Sequence, residues 1–291
     1  MGEIVSLGND RWDAPCSPVE QGRAVHALER GSVVWFPRLA FVLGAAEHQL
    51  LSPAIAGAGK NISFDPSSGV VRGHCAEAAD GELLQAMMLR FAVSSTTLLR
   101  NLLPRHEAGL RPVRTSFRPV EIAGRSTSWR KDDTRLHVDS FPSRPTRGAR
   151  ILRVFTNINP DGRTRTWRLG EPFEDVARRN LHALRGPVPG IAALLQVLRI
   201  TKGRRSAYDH LMLRLHDRMK ADLRYQAEVA YAVHEFPPGS TWIAYTDQVS
   251  HAAMAGQYAL EQTFFVALRC MHDRARSPLG VLERLLARNL V

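Results

Sequence analysis

Residues 149–159 read ARILRVFTNIN, and this stretch decides the fold class. Side chains alternate along it, with Ile151, Arg153, Phe155 and Asn157 on one face. Leu152, Val154 and Thr156 fall on the other. A period of two belongs to a β-strand, whose successive side chains point to opposite faces. Pro160-Asp161-Gly162 then makes a strong turn.

Working outward, short strands are expected at 113–122, interrupted by Pro119, and at 134–139. Downstream they are expected at about 225–236, 240–246 and 258–269, with Gly239, Asp247 and Gly256 near the turns. Three helical stretches come between, near 172–184, 188–199 and 205–219, and a last helix covers about 278–289. The N-terminal part is mixed. Ser17-Pro18 caps a helix over 18–30 that Gly31 stops, and a β run at 32–36 ends at Pro37. Residues 57–73 look loop-rich. A long helix over 81–103 follows, with Leu84, Met87, Met88, Phe91, Leu98 and Leu102 at helical spacing. The expected fold is mainly β with helical decoration: a double-stranded β-helix, or jelly roll, with N-terminal helices and a helical insert. It is expected to be one domain over 1–291. Residues 1–110 would pack on the core as a helical, mixed portion, and 171–220 would form the insert.

The composition of the 291 residues, 44% hydrophobic and 23% charged, excludes intrinsic disorder, a collagen-like chain and a coiled coil. No apolar run approaches the roughly 18 residues of a membrane helix. Lys+Arg is 39 against 28 Asp+Glu, a net charge of +11, and the only lysines are Lys60, Lys131, Lys202 and Lys220. Guanidinium grips phosphate and carboxylate in a planar two-pronged way, so an anionic partner is expected. Cys16, Cys75 and Cys270 are far apart with no CxxC, which argues against a disulfide framework or structural zinc. Residues 1–13 show no basic segment followed by an apolar one, so the expected location is a reducing cytoplasm.

Leu136-His137-Val138-Asp139 carries the chemistry. Two residues apart on a strand, His137 and Asp139 share a face and can reach one metal. His251, 112 residues downstream at the start of a β region, is the expected third ligand. Two histidines and a carboxylate on one side of an octahedral metal leave three positions open, the arrangement of non-haem Fe(II) oxygenases. A chelating 2-oxo acid fills two of these positions and O₂ the third. In many such enzymes the cation for the distal carboxylate of 2-oxoglutarate follows the last histidine by about ten residues. Here that position is Glu261, with Thr263 two further on. Arg153 is the expected replacement, with Asn157 facing the same way and Thr263 on the late strand. A cation facing a sandwich interior is costly unless paired. The alternation alone leaves open whether Arg153 faces inward or its neighbours Leu152, Val154 and Thr156 do.

Residues 129–173 (WRKDDTRLHVDSFPSRPTRGARILRVFTNINPDGRTRTWRLGEPF) resemble the family of hydroxylases acting on 3-deoxy-D-manno-oct-2-ulosonic acid, Kdo. The stretches KNISFDP at 60–66 and STW at 240–242, on to His251, look familial too. The resemblance implies a dioxygenase dependent on Fe(II) and 2-oxoglutarate, with His137, Asp139 and His251 as iron ligands. It implies hydroxylation at C3 of Kdo on Kdo-lipid A, giving the 2-octulosonic acid Ko. Lys60, Lys131, Arg144, Arg147 and Arg150 are the cations expected to meet the acidic sugar, and the positive charge suits an anionic membrane surface. Peripheral work at the cytoplasmic face of a Gram-negative inner membrane is the expected setting. Two other readings stand beside this one. An oxygenase of nucleic acid or protein would use the same triad, though no aromatic-rich basic strand of the stacking type is seen. A non-enzymatic jelly roll binding an acidic sugar would make His137 and Asp139 structural.

Overall fold

The computed structural model describes residues 2–57, 59, 61–75 and 78–291, with the side chains of Ala78 and Ala79 left aside. The elements in chain order are β1 (Ile4–Ser6), α1 (Pro18–Glu29), β2 (Val33–Phe36), β3 (Ile62–Asp65), β4 (Val70–Arg72), α2 (Ala78–Leu102), β5 (Leu110–Arg118), β6 (Arg150–Asn157), β7 (Arg165–Leu169), α3 (Phe173–Asn180), α4 (Ile191–Val197), α5 (Ala207–Ala221), α6 (Leu223–Glu228), β8 (Ala232–Phe236), β9 (Thr241–Tyr245), β10 (His251–Ala255), β11 (Ala259–Val266) and α7 (Pro278–Leu286). Eight strands form one sheet in the order β1-β2-β9-β6-β11-β5-β3-β4. β10-β7-β8 form a second sheet. Within the large sheet β1 and β2 are parallel, and β6 runs antiparallel to both β9 and β11.

The two sheets face each other across an aromatic layer. Phe155 and Trp242 of the large sheet pack with Trp167 and Phe236 of the small one. Phe236 stacks on Trp242 at 4.1 Å, and Trp167 meets Phe155 edge-on at 4.9 Å. Such offset and edge contacts suit ring quadrupoles and add to the burial of large apolar area. The outer face of the large sheet is covered by α1 and α2: Leu152 and Val154 of β6 pack with Leu28 of α1 and Met87 and Phe91 of α2. Every residue of β6 is therefore buried. Arg153 shares the face of Phe155, and neither face meets solvent.

The strand-dominated framework with helices around it is as expected, and several boundaries differ. The N-terminal portion does more than pack on the core, because β1 to β4 are strands of the large sheet itself. The 57–73 stretch, read as loop, contains the hairpin of β3 and β4. The strand expected at 225–236 begins as α6, because the Asp222 side chain accepts from Tyr225 N–H and caps a helix. β7 was not expected, because arginines at two of its five positions masked the alternation of Trp167 and Leu169. α4 is shorter than expected and starts after Gly190, whose φ of +84° suits glycine. Among the described residues no helix is long and apolar enough to cross a membrane.

Candidate metal centre

Residues 134–139 do not form a ladder strand. The Gln226 side chain takes over both backbone groups of Leu136, accepting from its N–H at 2.8 Å and donating to its carbonyl at 2.9 Å. His137 and His251 then make one reciprocal backbone pair, N–H to O at 3.0 and 2.9 Å. Asp139 N–H donates to Thr246 O at 2.8 Å. The alternation still does its work. Leu136 and Val138 enter an apolar cluster with Leu211 and Leu215 of α5 and Leu282 of α7. His137 and Asp139 consequently point the opposite way, into the space between the sheets, where Asp139 meets Arg153 of β6.

His137, Asp139 and His251 come together, with one ligand atom from each lying within 4.8 Å of the others. Each histidine Nδ1 sits 2.8 Å from a backbone carbonyl, Arg135 O for His137 and Val249 O for His251. A carbonyl only accepts, so Nδ1 carries the proton and Nε2 keeps its lone pair for a metal. His137 Nε2 lies 3.7 Å from Asp139 Oδ1. Trp167 stacks on the His251 ring at 5.1 Å, and His216 of α5 meets His137 edge-on at 5.4 Å. Burial, reinforced by His251 and Lys220, holds His137 well below the usual imidazole range. Burial lowers His251 as well. Both are neutral at pH 7, the state in which an imidazole can bind a metal. Burial alone would raise Asp139, but the neighbouring charge of Arg153 foremost opposes it, and the carboxyl is held well below its usual range and stays ionised. Two imidazole nitrogens and one carboxylate, all buried, are the donor set of a facial triad, and the side chains fit Fe(II).

The triad lines a cavity of about 250 Å³ that also receives Arg118, Arg130, Lys131, Arg153, Arg165 and Lys220. A chain of ion pairs crosses its wall. Arg153 Nη2 meets Asp139 Oδ2 at 3.1 Å, and its Nη1 meets Glu261 Oε1 at 2.9 Å. Arg118 Nη2 meets Glu261 Oε2 at 2.5 Å, and its Nη1 lies 3.6 Å from Asp133. Arg165 is only 4% exposed, and its Nη1 donates to the neutral Gly256 carbonyl at 2.9 Å. Burial, with the like charge of Arg118, pulls its guanidinium down to about 9, still charged at neutral pH. A recess of about 220 Å³ adjoins the cavity, sharing Arg118 and Arg153 and adding Arg114, Arg144 and Thr263. Two larger cavities, of about 610 and 570 Å³, lie elsewhere and hold no triad member.

The expected residues divide as follows. Arg153 lies between the sheets, in contact with Asp139. Lys131 lines the triad cavity, and Arg144 and Thr263 line the recess. Asn157 is corrected: its Nδ2 donates to Arg163 O and Phe236 O, and its Oδ1 accepts from Asn159 N–H. These bonds use both amide hydrogens and brace the end of β6, and Asn157 lines neither the cavity nor the recess. Arg150 is corrected too. It is 0% exposed, on the helix-covered face, with Nε on Asp247 at 2.8 Å and Nη2 on Gln248 at 2.6 Å. It braces the approach to His251 and cannot reach a sugar. Arg147 is exposed, donates to Arg204 O at 3.3 Å, and lines neither the cavity nor the recess. Lys60 lies outside the described residues. Sequence reading missed Arg118, Arg165, Trp167, His216 and Lys220. The alternation of Arg165 and Trp167 in RTWRL was the available signal for two of them.

Residues 11–289 match the family described as 3-deoxy-D-manno-oct-2-ulosonic acid (Kdo) hydroxylase. Among curated protein sequences none matches. Three solved structures are similar at 47% identity, covering 99% of this chain and 97% of theirs, with a TM-score of 0.96. One is the Kdo hydroxylase KdoO, a non-haem Fe(II) α-ketoglutarate-dependent dioxygenase, with α-ketoglutarate and Fe(III). The others are KdoO with cobalt(II) and its apo form. The chain therefore belongs to the Kdo hydroxylase family.

Proposed function

We propose that this chain hydroxylates Kdo at C3 on Kdo-lipid A to give Ko, as an Fe(II)- and 2-oxoglutarate-dependent dioxygenase on a double-stranded β-helix. The observation that carries the reading is the buried triad of His137, Asp139 and His251, in a chain 47% identical to an iron-dependent Kdo hydroxylase over nearly its whole length. With Fe(II), 2-oxoglutarate and O₂ bound, such a centre supplies an oxidant that replaces a C–H hydrogen by hydroxyl, while the 2-oxo acid loses CO₂ to become succinate.

The chain's own residues prepare that chemistry. The carbonyls of Arg135 and Val249 fix the tautomer of both histidines. Arg153 balances part of the Asp139 charge, so the carboxylate can stay an ionised ligand in a buried site. Arg165, buried beside the triad against a neutral carbonyl, is the cation we assign to the distal carboxylate of 2-oxoglutarate, with Arg118 beside it. A buried guanidinium is costly without an anion, and a dicarboxylate supplies one. Arg114 and Arg144, in the adjoining recess, would hold the acidic sugar. Kdo-lipid A is an amphiphile, so we also place the chain peripherally on an anionic membrane surface.

The test is anaerobic reconstitution with Fe(II) and 2-oxoglutarate, read by the weak visible metal-to-ligand charge-transfer band. The band is expected in the wild type and absent in His137→Ala and His251→Ala. Kdo-lipid A should then drive succinate formation. Normal turnover in both variants would refute the reading.

A further inference from the structure

We propose that residues 185–200, with α4 at their centre, are the element by which this protein seats on an anionic phospholipid surface. Leu184 and Thr201 are buried, and none of the sixteen residues between them is. Yet these residues are apolar. Val188, Ile191, Leu194, Val197, Leu198 and Ile200 are 45–78% exposed. They are six of the fourteen exposed large hydrophobic residues among the described ones, gathered into thirteen positions. Within α4 and its first following residue, Ile191, Leu194, Leu195 and Leu198 fall at i, i+3, i+4 and i+7. That stripe normally packs on a core. α5 and α7 bury theirs, whereas α4 contains no buried residue.

The charge around this stripe selects the occupant. Arg185, Arg199, Lys202, Arg204 and Arg205 fall within 184–206, and no Asp or Glu does. An apolar helix ringed by cations fits the boundary between headgroups and acyl chains of an anionic bilayer. A second copy of the chain fits poorly, because two such faces would bring five cations against five.

The position of the segment supports the same occupant. Lys202 N–H donates to Ser143 O at 2.8 Å, Arg205 donates to Pro142 O, and Arg147 donates to Arg204 O at 3.3 Å. The lobe is thus joined to the 142–147 loop, which carries Arg144 into the recess beside the triad cavity. Seating it in a bilayer brings that recess to the headgroup level, where an acidic sugar on a lipid would stand.

This inference rests on the proposed lipid-linked substrate, and its test separates the two. Flotation with vesicles of 30% phosphatidylglycerol in phosphatidylethanolamine should carry the wild type. Pure phosphatidylcholine vesicles, or 0.5 M salt, should carry far less. Leu194→Glu/Leu198→Glu should lower the bound fraction at least tenfold, with the anaerobic charge-transfer band unchanged. Arg204→Glu/Arg205→Glu should weaken binding in the same direction. Wild-type binding by the apolar double variant, or no binding of the wild type to anionic vesicles, would overturn the proposal. So would a dimer in sedimentation that the double variant abolishes while vesicles leave it unaffected. Flotation without the charge-transfer band would sink the oxygenase reading and leave this surface standing.

Discussion

Arg153 and Asp139 are joined by an ion pair of 3.1 Å, and the other prong of the same guanidinium holds Glu261 at 2.9 Å. A single arginine thus ties the triad carboxylate to β11 across the sheet. In the proposed centre this pair would keep the Asp139 carboxylate ionised and oriented for the metal, which differs from anchoring a co-substrate. Arg153→Met leaves two buried carboxylates short of a partner. Outer partners of metal ligands are commonly worth 10–100-fold in affinity, and a loss of that size is expected in Co(II) titration by calorimetry. Arg153→Lys keeps the charge but cannot fork to two carboxylates, so an intermediate loss is expected. Unchanged affinity in both variants would show the pair to be incidental.

Arg165 touches none of the triad in the structure, so its removal should separate co-substrate binding from metal binding. Arg165→Met should raise the 2-oxoglutarate concentration needed to saturate the charge-transfer band. A hydrogen bond to a charged group is worth about 1.5–3 kcal/mol, which corresponds to roughly 10- to 150-fold. Co(II) affinity should change little. An equal loss in both titrations would mean that Arg165 supports the triad itself.

The sequence made the triad legible for a physical reason. Leu136 and Val138 alternate with His137 and Asp139, so the apolar pair had to choose one side and the ligands the other. The alternation of β6 was equally plain, but not which of its faces was covered. Helices α1 and α2 bury the second face, and that packing comes from residues more than fifty positions away. Arg150 and Asn157 went astray through distant partners: charge and position in the chain suggested ligands, while Asp247 and the Phe236 carbonyl had already engaged them. Arg118 carries no local pattern that distinguishes it from the other arginines of a strongly basic chain, and Arg165 carries only its alternation with Trp167.

Arg150 and Asp247 give a third expectation, one of stability. Arg150 Nε lies 2.8 Å from Asp247, with both side chains almost wholly buried, and its guanidinium stacks 4.0 Å over the Tyr245 ring. Breaking a buried pair from one side strands a charge and costs about 3–5 kcal/mol. Arg150→Met should lose that much in chemical denaturation. Arg150→Met/Asp247→Leu should recover much of it, since an apolar pair of similar volume is often neutral. If the double variant is as unstable as the single one, the bracing by Gln248, 2.6 Å from the same guanidinium, carries the stability instead.

Glu261 sets the pH dependence of this framework. Burial alone would raise its carboxyl, but Arg118 and Arg153 outweigh burial and hold it below the ordinary glutamate value of 4.5. A carboxylate depressed in the folded state binds its proton more readily once unfolded. Its contribution is therefore complete above about pH 4.5 and is lost as the pH falls through the lower folded value. Wild-type stability should decline on the acid side with a slope that includes this group, at most about 1.4 kcal/mol per pH unit for one proton. Glu261→Gln cannot take up that proton, so its acid limb should be shallower. The gap between the two proteins should then be widest near pH 7 and narrow below pH 4. Denaturation of the metal-free proteins between pH 3 and 7 reads this directly, with Asp139 contributing the same sign to both curves. Parallel curves would mean that Arg118 and Arg153 do not lower the Glu261 carboxyl in the folded protein.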